Sequence, residues 1–279
     1  MLHRRCFIAG LLLGAACAKP APPPAAGPNL VTITATDYAF SIPDTIPAGL
    51  TTLRLVNQGK ELHHASLVRL KDGKTIADFQ SGLQAAMQSH GPPPAWIAFA
   101  GGPNAVSPGD TGTATQTLEP GNYVFVCWIP SADGTPHIMK GMMHAMVVTA
   151  AQTPAAAEPP AGLSIKLTDY DFVLSAPLTA GTHTVRVENA GAQPHEVVIT
   201  ALPPGKTLQD FMAWEKGGEK GPLPTGKWLG GVVGMDAGGH AQFTATFTPG
   251  NYLLLCFWPD AKDGKPHIVH GMAKEVRVS

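Results

Sequence analysis

The chain has 279 residues, a formal net charge of −1, and a composition that is 44% hydrophobic and only 14% charged. This balance excludes an intrinsically disordered chain, and the lack of a long basic run excludes nucleic acid as a partner. The 31 glycines and 27 prolines predict the many turns of an all-β protein, and the length suits two domains.

The N-terminus predicts a targeting segment. His3-Arg4-Arg5 is basic, and the apolar stretch from Phe7 to Ala16 is too short to span a bilayer. We therefore predict a signal peptide over residues 1–17 and an exported protein that works in the periplasm or another extracytoplasmic location. Arg4-Arg5 resembles a twin-arginine signal, and an ordinary secretory signal is the alternative.

Cys17 directly follows the small residues Gly14-Ala15-Ala16. This resembles a bacterial lipoprotein cleavage site, which implies lipidation of Cys17 and a membrane anchor. Residues 18–28 are rich in alanine and proline and predict an extended tether.

The rest of the sequence consists of two similar units, residues 29–149 and 163–279, joined by an Ala/Pro-rich linker at 150–162. Both units show short alternating strands and turn residues, and Thr75 or Thr207 can begin a short helix. The pattern predicts an all-β fold of two Greek-key β-sandwiches in tandem, each with a short helical insertion. The predicted strands include 30–36, 50–56, 113–118 and 145–149 in the first unit, and 163–168, 183–188, 241–247 and 275–278 in the second.

The same metal-ligating pattern occurs in both units. Pro-Gly-Asn-Tyr leads into a strand ending in cysteine, then Pro-His and Gly-Met follow, and a further histidine lies upstream. One thiolate, two imidazoles and one thioether form a donor set that suits copper. The predicted metal ligands are His63, Cys127, His137 and Met142 in the first unit and His195, Cys256, His267 and Met272 in the second.

These residues also have structural interpretations. Cys127 and Cys256 are the only cysteines beyond the leader, so they could be buried structural residues or form a bridge between the units. Methionines at such positions often pack in a core. His64 has no counterpart, because Glu196 occupies its place, and we interpret His64 as a residue that supports the site or lies at the surface.

On these residues the chain resembles the cupredoxins, the blue-copper family of plastocyanin and azurin, twice over. The resemblance implies a type 1 copper site in each domain, up to one copper per domain, and outer-sphere electron transfer with an unidentified redox partner protein. One departure is that nine residues separate Cys127 from His137 and ten separate Cys256 from His267, where plastocyanin and azurin have only a few. We predict that this longer loop folds out as a hairpin-like excursion.

Three classes of function compete. Multicopper oxidases and nitrite reductases stack such domains but add His-x-His pairs, which this sequence lacks, so the sequence predicts that the protein is not an enzyme. A CuA centre needs a second cysteine in the loop, and none is present. The remaining alternatives to an electron carrier are a non-redox copper carrier or storage protein and a metal-free interaction module.

Overall fold

The computed structural model describes residues 27–89, 91–151, 156–218 and 221–279. The predicted signal peptide, Cys17 and most of the predicted tether lie outside the described residues, as does part of the linker. The domain boundaries therefore stay predictions. Neither helix in the described part of the chain is long and apolar enough to cross a membrane.

The described residues form short strands and two helices. The strands are β1 (Asn29–Thr36), β2 (Ala39–Ser41), β3 (Thr45–Pro47), β4 (Gly49–Asn57), β5 (Ser66–Leu70), β6 (Ile97–Phe99), β7 (Thr111–Leu118), β8 (Gly121–Val126), β9 (Met143–Thr149), β10 (Leu163–Thr168), β11 (Asp171–Leu174), β12 (Gly181–Asn189), β13 (His195–Ala201), β14 (Trp228–Met235), β15 (His240–Phe247), β16 (Gly250–Leu255) and β17 (Ala273–Val278). The helices are α1 (Ile76–Ser89) and α2 (Leu208–Lys216).

The first unit is a sandwich. Strands β2, β1, β4 and β7 form one layer, and β3, β9, β8, β5 and β6 form the other. The alternation seen in the sequence decides which side chains face inward, because successive side chains of a strand point to opposite faces. Ile33 of β1 and Leu55 of β4 are register partners, and both pack in a core shared with Leu67 and Phe125 of the opposite layer.

The second unit repeats this arrangement, with β11, β10, β12 and β15 in one layer and β14, β13, β16 and β17 in the other. The parallel β10–β12 pair corresponds to the β1–β4 pair of the first unit. The predicted all-β fold of two tandem sandwiches, each with a short helix, is confirmed.

Both helices begin where the sequence predicts. The Thr207 side chain accepts a hydrogen bond from the Asp210 N–H, and the Asp210 side chain accepts one from the Thr207 N–H, which forms a capping box. Thr75 and Asp78 exchange the same bonds at the start of α1. Caps of this kind contribute about 1 kcal/mol to helix stability.

The two sandwiches join side by side. Strands β7 and β15 make one eight-stranded layer continuous between the units. Strand β14 and Asp236, which follows it, also bond to the segment at 99–107: Asp236 N–H donates to Phe99 O (3.0 Å), and Asn104 N–H donates to Gly231 O (3.2 Å). The ring of Phe99 meets that of Trp258 edge-on, with centroids 4.6 Å apart. The interface is thus built from backbone as well as side chains.

Strand β14 contains two consecutive glycines, Gly230 and Gly231, yet it pairs with β13 as a strand. Gly231 has a φ of +123°, and a Cβ on it would lie 2.1 Å from the Val197 carbonyl oxygen. A glycine inside a strand often marks a bulge or a close backbone approach. The glycines therefore allow β14 to pack tightly against β13 instead of ending the strand.

Candidate metal centres

In the first unit three predicted donor residues meet at one point. The Nδ1 atoms of His63 and His137 lie 3.1 Å apart, and Cys127 Sγ lies 3.4 Å from His137 Nδ1. All three residues are fully buried. Their ligand atoms lie within 4.8 Å of one another, so one metal ion can contact all three.

The second unit builds the same group. The Nδ1 atoms of His195 and His267 are 2.9 Å apart, and Cys256 Sγ lies 3.3 Å from His267 Nδ1 and 4.0 Å from His195 Nδ1. These residues are also fully buried.

Backbone hydrogen bonds fold the Cys-to-Met segment over itself. Cys127 N–H donates to Met142 O at 3.2 Å, and Met142 N–H donates to His137 O at 3.0 Å. Between them, His137–Lys140 forms a short 3-10 turn that ends at Gly141, whose φ of +98° is a left-handed conformation favouring glycine. The second unit repeats both bonds and ends its turn at Gly271.

The two methionines lie beside the donors. Met142 and Met272 are fully buried and belong to the same hydrophobic clusters as Cys127 and Cys256, respectively. Both methionine side chains therefore pack in the same cores as the cysteines. Their role as axial ligands stays a prediction.

The long Cys–His loops fold as hairpin-like excursions, as predicted. Pro130 bridges to Pro136 in the first unit, and Pro259 bridges to Pro266 in the second. Directly after the first bridge, His137 N–H donates to Ile129 O at 2.9 Å. The additional residues project away from the site as a hairpin, so each histidine still lies beside its cysteine.

Carboxylates hold the outer nitrogens of the first pair of histidines. His63 Nε2 lies 2.8 Å from Asp37 Oδ1, and His137 Nε2 lies 2.8 Å from Glu61 Oε2. A carboxylate at Nε2 fixes a proton there and leaves Nδ1 as the metal-binding atom. Two Nδ1 lone pairs facing each other at 3.1 Å repel unless a cation lies between them, so the group fits a metal ion.

The second unit has a related outer layer. His195 Nε2 is hydrogen-bonded to Asp169, the counterpart of Asp37, and His267 Nε2 lies 3.8 Å from Asp260 Oδ2. The sequence interpretation assigned these carboxylates no role. A signal was present, because the Asp-Tyr pair recurs in both units, but only the fold shows that it reaches the histidines.

The tyrosines of the same Asp-Tyr pairs cover the sites. The ring centroid of Tyr38 lies 4.7 Å from that of His137, and its hydroxyl donates to Glu61 Oε1 at 3.2 Å. The ring centroid of Tyr170 lies 5.2 Å from that of His267, and its hydroxyl donates to Asp260 Oδ2 at 2.5 Å. Each ring shields an imidazole that would otherwise meet solvent.

Burial sets the charge state of the metal-free sites. Desolvation raises the pKa of the Cys127 thiol to about 12 and raises the pKa of Cys256 further. Desolvation also lowers the pKa of His63, and it lowers the pKa of His267 to about 4, with His195 adding to the effect. Both thiols and the imidazoles of His63 and His267 are therefore neutral at pH 7 in the metal-free protein, and a bound metal ion would displace the thiol proton.

The remaining sequence alternatives can now be decided. Cys127 and Cys256 are both free and buried, which excludes a bridge between them. His64 is buried, and its Nε2 accepts a hydrogen bond from Trp128 N–H at 2.8 Å, so it supports the site and does not lie at the surface. Glu196 Oε1 accepts the equivalent bond from Phe257 N–H at 3.0 Å.

Comparison with known proteins gives no matching family model and no matching curated protein. Solved structures do match. Auracyanin A, a "blue" copper protein from Chloroflexus aurantiacus, is 21% identical over 44% of this chain and 100% of its own, with a TM-score of 0.30. A multicopper oxidase is 13% identical over 90% of this chain and 88% of its own, with a TM-score of 0.27. A copper-containing nitrite reductase from Thermus scotoductus SA-01 is 13% identical over 91% of this chain and 62% of its own, with a TM-score of 0.26.

Both sandwiches carry the His-Cys-His group at the same place in the fold. The chain has a cupredoxin-like fold. Copper is the cofactor that the buried donor sets indicate, and each unit can hold one ion.

The prediction that this cupredoxin-like chain is not an enzyme is contradicted, because the two matches that span nine-tenths of it are enzymes. The prediction rested on the lack of a His-x-His pair, and the lack of one sequence motif does not exclude an enzyme.

Proposed function

We propose that this protein is an exported copper protein with a type 1 copper site in each sandwich and that it transfers single electrons by an outer-sphere route. The observation that carries this proposal is the buried convergence of two Nδ1 atoms and one Sγ atom in both units. A copper ion bound there would supply a one-electron Cu(II)/Cu(I) couple.

The protein's own residues favour this use. The imidazoles are already aligned by Asp37 and Glu61 in the first site, so little rearrangement accompanies a change of oxidation state. Complete burial of the three donors excludes water from the metal's inner positions. Met142 and Met272 supply weak thioether ligands from the buried wall.

An electron needs a short route to the surface. Met139 and Val269 occupy equivalent positions two residues after His137 and His267, and their exposed fractions are 54% and 43%. An exposed apolar side chain beside each site gives a redox partner protein a hydrophobic contact close to the predicted metal ligands. These two surfaces are the proposed points of electron entry and exit.

A copper carrier that delivers its ion is less well supported by the same geometry. A delivery site must let a receiving protein reach the ligands, but the donors here are buried beneath Tyr38 and Tyr170. Enclosure favours a retained ion over an exchanged one.

The test is the copper content and visible spectrum of the mature protein after loading with Cu(II). Two coppers per chain and a strong thiolate-to-copper absorption band support the proposal. Cys127→Ser and Cys256→Ser should each remove one copper and its share of the band. Full copper content in both single variants contradicts the cysteine assignment, and copper without the band supports storage or delivery.

Export and anchoring form a separate part of the proposal. The leader sequence supports export, and Cys17 supports a lipid anchor through its small preceding residues. Cys17→Ser should move the protein from the membrane fraction to the soluble fraction of cells. A parent protein found wholly in the soluble fraction contradicts the anchor.

A further inference from the structure

Three side chains that can bind a metal meet outside the two candidate metal centres. One carboxylate oxygen each of Asp260 and Asp263 and one ring nitrogen of His270 lie within 4.8 Å of one another. His270 Nε2 is 3.1 Å from Asp263 Oδ1. The two aspartates lie on the hairpin-like loop of the second unit, and the histidine ends the 3-10 turn that follows it. None of the three is a predicted copper ligand.

The first unit has different side chains at the same three places. Counted from the bridging prolines and from the predicted histidine ligands, the corresponding residues are Ser131, Asp133 and Lys140. Lys140 Nζ lies 2.9 Å from Asp133 Oδ2, which is an ordinary ion pair. A lysine ammonium has no lone pair to give to a metal. The second unit therefore has a carboxylate in place of a hydroxyl and an imidazole in place of an ammonium, and both differences favour metal binding.

The Asp260 carboxylate is a buried charge without a cation beside it. Its side chain is 1% exposed. Its Oδ2 accepts hydrogen bonds from the Tyr170 hydroxyl at 2.5 Å and from Gln193 Nε2 at 3.0 Å, and its Oδ1 accepts one from Lys262 N–H at 2.8 Å. Among the described residues, no lysine or arginine nitrogen lies within 4 Å of this carboxylate. Buried charges are normally paired or coordinate a metal, so Asp260 is held in place for a cation that its neighbours do not supply.

An unpaired buried nitrogen faces the same cluster. His267 Nε2 is fully buried and has no hydrogen-bond partner in the described part of the chain. It lies 3.8 Å from Asp260 Oδ2, which is too far for a hydrogen bond. In the first unit the equivalent His137 Nε2 lies only 2.8 Å from Glu61 Oε2. Support of His267 therefore does not explain the position of Asp260.

We propose that Asp260, Asp263 and His270 form a third metal site, which takes a divalent transition-metal ion such as Zn(II). One imidazole and two carboxylates form a donor set that suits Zn(II), whereas Mg(II) and Ca(II) prefer oxygen ligands alone. Tetrahedral Zn(II) with bonds of about 2.0–2.2 Å keeps its ligand atoms roughly 3.4 Å apart. The 3.1 Å between His270 Nε2 and Asp263 Oδ1 is close to that spacing. Asp263 and His270 are partly exposed, so water can complete the coordination.

The ring of His270 is already oriented for this role. It stacks on the ring of Tyr170, with centroids 5.2 Å apart and an angle of 30° between the planes. Backbone N–H groups orient the carboxylates as well, because Lys265 N–H donates to Asp263 Oδ1 at 3.0 Å. Contacts that orient the ligands in advance lower the cost of ordering them around an ion. A simple hydrogen bond between His270 and Asp263 would leave the Asp260 charge unpaired.

The test counts the Zn(II) ions bound by the metal-free full chain and by His270→Lys, using equilibrium dialysis and metal analysis. Lysine fits this place, since Lys140 of the first unit pairs with Asp133 and its Nζ lies 4.7 Å from the ring centroid of Tyr38. His270→Lys should therefore fold and pair with Asp263, but it lacks the imidazole ligand. At a Zn(II) concentration that just saturates the parent, we expect the variant to bind one ion fewer. Equal counts and equal affinities in the two proteins overturn the inference.

Asp133→Asn is the matched control. Asp133 occupies the place of Asp263 in the first unit, where its partner is a lysine. This variant should bind as many Zn(II) ions as the parent. The same loss in Asp133→Asn as in His270→Lys would indicate a nonspecific acidic surface and overturn the inference. Displacement of the additional Zn(II) by an equal concentration of Mg(II) would do so too.

A second measurement locates the ion. The amide N–H groups of Lys262 and Lys265 donate to the carboxylates of Asp260 and Asp263, respectively. In NMR spectra of the parent, both amide resonances should show a Zn(II)-dependent shift that His270→Lys lacks. Identical Zn(II) responses of these amides in the two proteins contradict the site.

The third site and the proposed function fail in different ways. A difference of one Zn(II) between the parent and His270→Lys is expected whether or not the two buried centres also bind Zn(II). If the copper-loaded parent shows no thiolate-to-copper band, the proposed function is wrong and the third site is unaffected. If the band is present and the Zn(II) counts are equal, only the third site is wrong.

Discussion

Gly59 lies directly against His63. A Cβ atom on Gly59 would stand 2.4 Å from His63 Nε2 and 2.3 Å from Asp37 Oδ1, which is too close for any side chain. Gly191 has the same relation to His195 Nε2, at 2.5 Å. The Asn-x-Gly turn thus does more than reverse the chain, because its glycine makes room for the pairing of histidine and aspartate.

Gly59→Ala is therefore expected to push His63 and Asp37 apart. Overpacking of this kind costs about 1–3 kcal/mol of folding stability, and losing the outer partner of a ligating histidine lowers metal affinity by about 10–100-fold. Copper titration followed by the visible band should show one weakened site and one normal site.

The control for Gly59→Ala is Gly162→Ala, because a Cβ at Gly162 meets nothing within 4 Å and the position has no left-handed φ. This variant should bind copper like the parent. Equal copper affinity in Gly59→Ala and Gly162→Ala would contradict the proposed crowding.

Asp169→Asn tests the carboxylate layer in the second unit. An amide can still lie near His195 Nε2, but it loses the negative charge that fixes the Nε2 proton and strengthens Nδ1 as a ligand. We expect copper affinity at this site to fall by about 10–100-fold. Competition with a copper chelator of known affinity measures the change.

Asp171→Asn is the matched control for Asp169→Asn. Asp171 lies two residues away, and its exposed carboxylate pairs with Lys274 at 2.6 Å. Copper affinity should remain at the parental value. A similar loss in both variants would indicate a general electrostatic effect instead of a specific contact with His195.

The sequence predicts the elements whose residues repeat and misses those that depend on contacts between units. The donor residues, the strands on either side of them and the capped helices are local patterns, so Cys127 and Thr207 could be placed without a structure. Asp37 could not, because its link to His63 requires two segments 26 residues apart to meet. Asn104 has no repeated pattern at all, and its hydrogen bond to Glu196 arises only from the way the two sandwiches pack.

Met142→Leu and Met272→Leu test the proposed axial ligands. Leucine fills a similar volume, so such swaps usually cost less than about 1.5 kcal/mol of folding stability. Loss of an axial donor lowers the coordination number, which destabilises Cu(II) more than Cu(I), so the reduction potential of the affected site should rise while copper content and the band remain. Spectroelectrochemical titration of each variant gives the two potentials.

A double variant serves as the internal check on these methionines. Met142→Leu with Met272→Leu should raise both potentials, and each single variant only one. If neither potential moves, the methionines pack in the core and do not act as ligands.

Asp236 gives the interface a pH dependence that can be measured without metal. Its Oδ2 accepts from Phe99 N–H at 3.2 Å, and desolvation raises its pKa above the ordinary value. The folded protein then binds this proton more tightly than the unfolded chain does, so its contribution to stability is present at low pH and is lost as pH rises through the raised pKa. Asp236→Asn removes the charge but keeps an oxygen that can accept from Phe99.

We therefore expect Asp236→Asn to raise the unfolding temperature of the metal-free protein at pH 7, with the difference from the parent shrinking below pH 4. Thermal unfolding followed by circular dichroism from about pH 3 to about pH 8 measures this difference in unfolding temperature, because carboxyl groups titrate within that range. Glu119→Gln is the control, since Glu119 is exposed at the surface. If the unfolding temperatures of the parent and of Asp236→Asn differ by the same amount at every pH, burial of this carboxylate does not control the stability of the interface.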